Sequence, residues 1–244
     1  MNAAGKGNRY ACEQVVEIDQ EPRHHLVIQN EFVRAFAVEI APHDRTLCHH
    51  HPHDYLLYVA NGGDEIISAG HDEEPKRLSY YNQHCELLPG GLVHVVENLG
   101  EEPFRNVVVE LLPRAAELSR GLRPERSVVG KGTVLPIFDH ERASILLIRI
   151  QSGADIKIFG PALVATPYGN RLNPEGTLDI EVKTNHVSDL AWIPPGRAGV
   201  LWGCWQQAET AVVFQIGRTD EQGYTATNVR PPLHSLCAHA DDPD

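Results

Sequence analysis

The sequence predicts an all-β chain that folds as two tandem barrels of the jelly-roll type. Three observations lead to this fold class. A chain of 244 residues can form one large all-β domain or two small ones. Short strand-like runs recur at regular spacing, and the second half of the chain resembles the first. The predicted domains are residues 1–120 and 121–244.

The strand-like runs of the first half are short, and some alternate between apolar and polar residues with the period of two expected of half-buried strands. Turn residues separate them, among them the Gly-Gly pair at 62–63 and the Pro-Gly-Gly turn at 89–91. This spacing is typical of a sandwich or barrel. A polar arm, to about Pro22, precedes them and is expected to cover a neighbouring surface or to fray. The predicted strands are 25–29, 32–41, 55–60, 64–68, 77–81, 85–88, 93–97 and 106–112.

The second half repeats the first in a diverged form. Residues 143–160 align without gaps on residues 33–50, and the Pro-Pro-Gly turn at 194–196 corresponds to the turn at 89–91. Internal duplication of this kind indicates a two-barrel chain. The charged, proline-containing stretch 113–127 is predicted to connect the halves, with a turn or two of helix at 115–120.

A histidine-rich segment precedes the strand at 55–60. His49, His50, His51 and His53 occupy four of five positions. In an extended chain His49 and His51 share one face, while His50 points to the other. Two neutral imidazoles are half of a site for Fe, Mn, Ni, Cu or Zn. The third ligand must come from elsewhere, and His94, just after the turn at 89–91, is the candidate.

These segments resemble the two-part motif of the cupin superfamily, in which HxH and a later glycine are followed some thirty residues on by PxGxxH. The first part places its histidines on His49 and His51 and its glycine on Gly62, and the second part places its histidine on His94. Tyr55 stands where the motif has an acidic ligand. The resemblance therefore implies a double-stranded β-helix with three histidine ligands and no carboxylate.

The second half lacks this ligand set in the gap-free alignment. The counterparts of the three histidines are Phe159, Pro161 and Gly199, none of which can bind a metal. The chain thus resembles a two-domain cupin, a bicupin, with one metal-competent barrel. Its degenerate second barrel is expected to stabilise the first or to line an organic pocket.

Three imidazoles leave coordination positions open for a substrate or dioxygen. They carry no charge, so a bound divalent ion stays Lewis-acidic. The resemblance implies Fe²⁺ as the first candidate cofactor, with Mn²⁺, Ni²⁺ or Zn²⁺ as alternatives. We predict a metal-dependent enzyme acting on a small organic acid, with a dioxygenase-type oxidoreductase first. The alternatives are an isomerase or lyase that uses the metal as a Lewis acid, and a non-catalytic barrel that binds small molecules.

Two residues are candidates for contact with the substrate. Arg105 and Glu110 have opposite parity along a strand, so one of them enters the barrel, and Arg105 is the attractive choice for binding a carboxylate. Tyr55 either approaches the metal through its hydroxyl group or lines the pocket. His53 shares the parity of the ligand pair but follows Pro52, which can bend the chain, so it is a reserve ligand.

Composition excludes some classes of partner. The balance of 21 basic against 33 acidic residues argues against nucleic acid and anionic membranes. Five scattered cysteines without a CxxC pair indicate a reducing compartment. The first twenty residues have no apolar core typical of a secretory signal, and no apolar run approaches ~18 residues. A soluble cytoplasmic protein that pairs as a homodimer through strand edges is expected.

Overall fold

The structure, a computed structural model, describes residue 10 and residues 12–70, 74–118, 128–130, 132–150, 155–167, 181–184, 188–202 and 209–217. Within these ranges the regular structure is nineteen strands and two short 3₁₀ helices, Ile18–Gln20 and Pro113–Glu117. The predicted all-β class is confirmed. The strands are β1 (Val16–Glu17), β2 (His24–Gln29), β3 (Val33–Ile40), β4 (His49–His51), β5 (Tyr55–Asn61), β6 (Gly63–Gly70), β7 (Lys76–Tyr80), β8 (Cys85–Leu88), β9 (Leu92–Asn98), β10 (Phe104–Leu111), β11 (Val128–Gly130), β12 (Gly132–His140), β13 (Ala143–Ile150), β14 (Asp155–Phe159), β15 (Ala162–Pro167), β16 (Glu181–Thr184), β17 (Ser188–Ile193), β18 (Ala198–Trp202) and β19 (Glu209–Ile216).

The first half forms two five-stranded sheets that face each other across an apolar interior. One has the order β1-β4-β9-β6-β7 and the other the order β2-β3-β10-β5-β8. Neighbouring strands such as β3 and β10 are far apart in the chain and pair antiparallel, which is the arrangement of a jelly roll. The predicted strands of this half match the observed ones to within two residues at each end. The side chains of the interior include Phe36, Val38, Ile40, Leu57, Val59, Ile66, Phe104 and Val108.

The second half repeats this pairing. The antiparallel pairs β13–β19 and β15–β19 correspond to β3–β10 and β5–β10, and β14–β18 corresponds to β4–β9. Its sheets have the orders β11-β14-β18 and β12-β13-β19-β15-β17-β16. Gly91 and Gly196 lie at equivalent turns with φ values of 85° and 72°, a conformation that favours glycine. Among the described residues no strand of one half pairs with a strand of the other; the boundary at residue 120 stays a prediction, because 119–127 lie outside the described ranges.

The two halves pack against each other through the outer faces of the β2-β3-β10-β5-β8 sheet and of the six-stranded sheet of the second half. Phe32 stacks on Trp192 with ring centroids 6.1 Å apart, and Tyr58 meets Phe214 edge-on at 6.2 Å. One apolar cluster is continuous from Ala35 and Val107 in the first half to those second-half rings. Both faces of the β2-β3-β10-β5-β8 sheet are therefore buried, one inside the barrel and one between the halves.

The described part of the N-terminal arm covers the edge of the first barrel. Of the two alternatives expected from the sequence, covering a neighbouring surface or fraying, the first is the one observed. β1 pairs parallel with β4, and Ile18 is fully buried in the barrel interior. A disulfide joins Cys12 to Cys48, so the expectation of reduced cysteines is wrong for this pair. Among the described residues, no helix has the length and apolar character needed to cross a membrane.

Candidate metal centre

Four histidines from three strands meet inside the first barrel. The Nε2 atom of His51 lies 3.1 Å from that of His49 and 3.3 Å from that of His94. The rings of His49 and His94 have centroids 4.6 Å apart. His24, at the start of β2, adds a fourth ring: one ligand atom each from His24, His49 and His51 lie within 4.8 Å of one another. The structure thus brings together the three histidines proposed from the sequence and adds one that was missed.

Strand alternation and pairing explain this arrangement. His49 and His51 are fully buried on one face of β4, whereas His50 points to the other side towards Glu17. In the antiparallel pair β4–β9, His49 lies directly opposite His94. Side chains of such opposed residues are neighbours on the same face of the sheet. The distant histidine is therefore placed by strand register.

The Pro-Gly-Gly turn at 89–91 packs against the loop that follows β4. The amide of Gly91 donates to the carbonyl of His51 at 2.7 Å, and the amide of Gly90 donates to Oδ1 of Asp54 at 2.6 Å. A Cβ atom on Gly90 would lie 2.7 Å from the carbonyl carbon of His53. Glycine is required there because only a residue without a side chain allows the two backbones to approach so closely.

Hydrogen bonds at Nδ1 leave Nε2 of two rings available as a donor atom for a metal. The Nδ1 atom of His49 lies 2.9 Å from the carbonyl oxygen of Leu47, and that of His24 lies 2.7 Å from Oε2 of Glu21. Both partners only accept, so each Nδ1 atom carries a proton, and in the neutral ring the Nε2 atom then has a lone pair. In His51, Nδ1 is buried and has no partner among the described residues.

Burial favours the neutral imidazole in His49, His51 and His94. It lowers the pKa of His49 to about 4, with a further contribution from the charge of His24. Burial and the neighbouring imidazoles also lower the pKa values of His51 and His94. Burial opposes ionisation of Glu21, but the hydrogen bond and charge of His24 outweigh it and lower the Glu21 pKa. Neutral imidazole is the form that binds metals.

The donor set fits a divalent transition metal. Bonds of about 2.0–2.1 Å to one ion place adjacent ligand nitrogens roughly 3 Å apart, which agrees with the observed 3.1 and 3.3 Å. Nitrogen atoms with lone pairs that face one another so closely need a shared cation or proton. Imidazole nitrogen suits Fe, Cu, Ni and Zn.

A scan of protein-family models and a search of curated proteins find no match to the sequence. Solved structures do match. A cupin domain from Bordetella pertussis Tohama I is 22% identical over 36% of this chain and 90% of that chain, with a TM-score of 0.34. A salicylate 1,2-dioxygenase from Pseudaminobacter salicylatoxidans is 12% identical over 78% and 75%, with a TM-score of 0.44. AerE from Microcystis aeruginosa is 14% identical over 80% and 98%, with a TM-score of 0.46.

The sheet orders and pairings described above are those of a double-stranded β-helix. This is the fold that the motif resemblance in the sequence implies. In the first barrel, Tyr55 occupies the motif's acidic position, is 2% exposed, and stacks on His51 with centroids 4.3 Å apart. Burial raises the pKa of its hydroxyl group, so the phenol stays protonated. The observed contact makes Tyr55 a packing partner of a histidine.

The position of Arg105 differs from the one expected. Arg105 lies on the outer face of β10, where its Nε atom donates to Glu39 at 2.7 Å. Glu110 enters the first barrel instead and is fully buried. Its Oε2 atom accepts from Nε of Arg34 at 2.7 Å and from Nη2 at 2.5 Å. The cause is alternation along β10, whose inward set includes Phe104.

Two other histidines complete the comparison with the sequence. His53, the reserve ligand, is half-buried. Burial and the charge of Arg34 lower its pKa, and the charge of Asp54 partly opposes this. His24 was missed because the predicted strand began at residue 25, one position too late. The only local signal was a histidine three residues after Glu21, at the start of a strand.

The second barrel has other residues at the ligand positions. Ile158 lies opposite Gly199 in the β14–β18 pair, as His49 lies opposite His94. The counterpart of His49 is therefore Ile158, one position before Phe159 in the gap-free alignment. Neither Ile158 nor Gly199 has a side-chain atom that can bind a metal.

Proposed function

We propose that the first cupin barrel is the active site of a metal-dependent enzyme acting on a small organic acid, with dioxygenase-type oxidoreductase chemistry as its first candidate. The observation that carries this proposal is the convergence of the Nε2 atoms of His49, His51 and His94, with adjacent separations of 3.1 and 3.3 Å. Neutral nitrogens at this spacing match the requirement for a bound transition metal.

His49, His51 and His94 would hold the ion, for which Fe²⁺ is the first candidate and Mn²⁺, Ni²⁺ and Zn²⁺ are the alternatives. When bound, such an ion supplies Lewis acidity and, if it is redox-active, electron transfer with dioxygen. Three uncharged ligands leave positions open for an organic anion.

The chain's own residues orient the ligands and exclude water. The Leu47 carbonyl fixes the tautomer of His49, and the ring of Tyr55 supports that of His51. Apolar side chains such as Phe36 and Leu57 surround them. A site with little water strengthens electrostatic interactions between the protein and a bound anion.

Arg34 takes the role first given to Arg105 as the proposed partner of a substrate carboxylate. It lies on the inward face of β3, its side chain is 15% exposed, and it uses Nε and Nη2 to bind Glu110. Its Nη1 atom lies 3.8 Å from a carboxylate oxygen of Asp19, beyond hydrogen-bond distance, and is the donor proposed for substrate. A planar guanidinium group suits carboxylate recognition.

The test begins with metal analysis of protein purified without a histidine tag, followed by oxygen uptake with a panel of aromatic and aliphatic acids. We expect a stoichiometric ion and acid-dependent oxygen consumption that is lost in His49→Ala. Consumption of an acid without oxygen uptake would assign Lewis-acid chemistry of the isomerase or lyase type. No ion, together with no change in melting temperature on adding Fe²⁺, Mn²⁺, Ni²⁺ or Zn²⁺, would overturn the proposal in favour of a non-catalytic binder.

The predicted homodimer and cytoplasmic location stay predictions. Sedimentation velocity tests the first. A cytoplasmic location requires the Cys12–Cys48 disulfide to persist in a reducing compartment. Thiol titration of protein taken directly from a reducing cytoplasm measures whether it does.

A further inference from the structure

We propose that His24 is a fourth ligand of this metal centre and that Glu21 orients it from behind. The inference rests on the proposed function, since it concerns the same ion. It replaces the missing acidic ligand of the motif by a fourth imidazole from a different strand.

The position of His24 supports this role. Its ring centroid lies 4.6 Å from that of His49 and 5.9 Å from that of His51, and the residue is 7% exposed. Candidate donor atoms of these three residues lie within 4.8 Å of one another. Donors on opposite sides of one ion are about 4.2 Å apart when each bond is near 2.1 Å, so atoms within 4.8 Å of one another come into reach of one ion after a shift of at most about 0.3 Å each.

Glu21 is placed to fix the ring. Its side chain is fully buried, and Oε2 lies 2.7 Å from Nδ1 of His24. The same carboxylate accepts from the amide of Arg23 at 2.8 Å and from the amide of Leu47 at 3.2 Å. Carboxylates that hold the second nitrogen of a metal-binding histidine in this way set its tautomer and raise its basicity.

The backbone of Leu47 links the two sides of the site. Its amide donates to Glu21, and its carbonyl oxygen accepts from Nδ1 of His49. A single peptide segment therefore orients His49 directly and His24 through Glu21. Such shared support would not be expected if His24 were a surface histidine that approached the others by chance.

The arrangement also accounts for Tyr55. In this barrel the negative charge absent from the motif's acidic position is supplied by Glu21, one side chain removed from the proposed ion. A six-coordinate ion with four imidazoles keeps two positions, enough for a bidentate acid. The substrate class proposed above fits that number.

The test uses Zn²⁺ as the probe, isothermal calorimetry for affinity and X-ray absorption for the number of imidazole ligands. His24→Gln should weaken Zn²⁺ binding by more than ~100-fold and remove one imidazole from the absorption signal, while Glu21→Gln should weaken binding by about 10- to 100-fold. His50→Gln is the matched control, because His50 is the neighbouring histidine on the opposite face of β4. It should leave both readouts unchanged.

The outcomes separate this inference from the proposed function. If the wild-type chain binds neither Zn²⁺ nor Fe²⁺, Mn²⁺ or Ni²⁺ stoichiometrically, the proposed function fails and this inference with it. If the wild type binds Zn²⁺ and His49→Gln abolishes binding, but His24→Gln matches His50→Gln, this inference alone is overturned. Should His24→Gln not fold, the wild-type spectrum decides: four imidazoles support the inference, and three overturn it.

Discussion

The interiors of the two barrels differ although their strand pairing is the same. The first encloses four histidines and the Arg34–Glu110 ion pair, whereas the described interior of the second combines aliphatic side chains such as Ile156 and Ile158 with the uncharged polar residues Ser144 and Gln215, which lie opposite each other as Arg34 and Glu110 do. The second barrel shows that this framework forms without a histidine or a charged side chain among its described interior residues. Burying an unsatisfied polar group costs about 1–3 kcal/mol, so the polar interior of the first barrel points to chemistry rather than to folding.

The barrels also differ in how they are braced. In the first half, Asp54 accepts from the amide of Gly90 and also binds Arg142 of the second half. The loop after the ligand strand is therefore tied both to the turn before His94 and to the neighbouring barrel. The second barrel thus contributes to positioning a site that it does not contain.

The largest expected effect comes from replacing a histidine inside the first barrel with an aliphatic residue of the kind found inside the second. His51→Leu should abolish stoichiometric metal binding, raising the dissociation constant by more than ~100-fold. In the metal-free protein the loss of the contacts that His51 Nε2 makes with His49 and His94 is offset by removal of a buried Nδ1 that has no partner among the described residues, so stability should change by less than ~2 kcal/mol. Metal analysis and urea unfolding in chelator measure the two effects. A variant that keeps its metal would contradict the proposed ligand set.

A second difference is the disulfide that fastens the arm to β4. Cys12→Ser should destabilise the chain by about 2–4 kcal/mol, because the cross-link restricts the unfolded chain over a separation of 36 residues. Denaturant unfolding with and without reductant is the measurement. Cys85→Ser is the control at a cysteine that forms no disulfide. Equal stability of Cys12→Ser and wild type would show that the arm does not depend on the link.

Metal removal should lower the thermal stability of the first barrel and not that of the second. Saturation at 100 times the dissociation constant stabilises the folded protein by about 2.7 kcal/mol. The first barrel should lose this stabilisation on chelation, and His94→Ala should show no response to added metal. Differential scanning calorimetry with and without chelator tests this. A chelator effect that persists in His94→Ala would place the metal elsewhere.

The smallest effect concerns the link between the halves. Asp54→Ala removes the acceptor for the Gly90 amide and the partner of Arg142, and should cost about 1–2 kcal/mol. Asp54→Asn keeps the acceptor and loses only the charge of a partly exposed ion pair, so it should cost less than ~1 kcal/mol. Urea unfolding compares the two variants. If they are equally destabilised, the charge rather than the hydrogen bond holds the loop.

The sequence by itself determined what depends on local spacing. The alternation of His49 and His51 placed both on one face, and the turns at 62–63 and 89–91 marked the strand ends to within two residues. These features follow from the backbone geometry of strands and turns, which acts over a few residues. The shared face of His49 and His51 and the all-β class could therefore be predicted from the sequence.

Only the tertiary structure decided which face of β10 enters the barrel and that His24 joins the other histidines. Parity separates Arg105 from Glu110, but it cannot say which is inside, because both faces of that sheet are buried and both carry apolar residues. The approach of His24 to His49, like the pairing of Cys12 with Cys48, depends on how distant segments pack. Sequence patterns that extend over a few residues do not specify which distant segments come into contact.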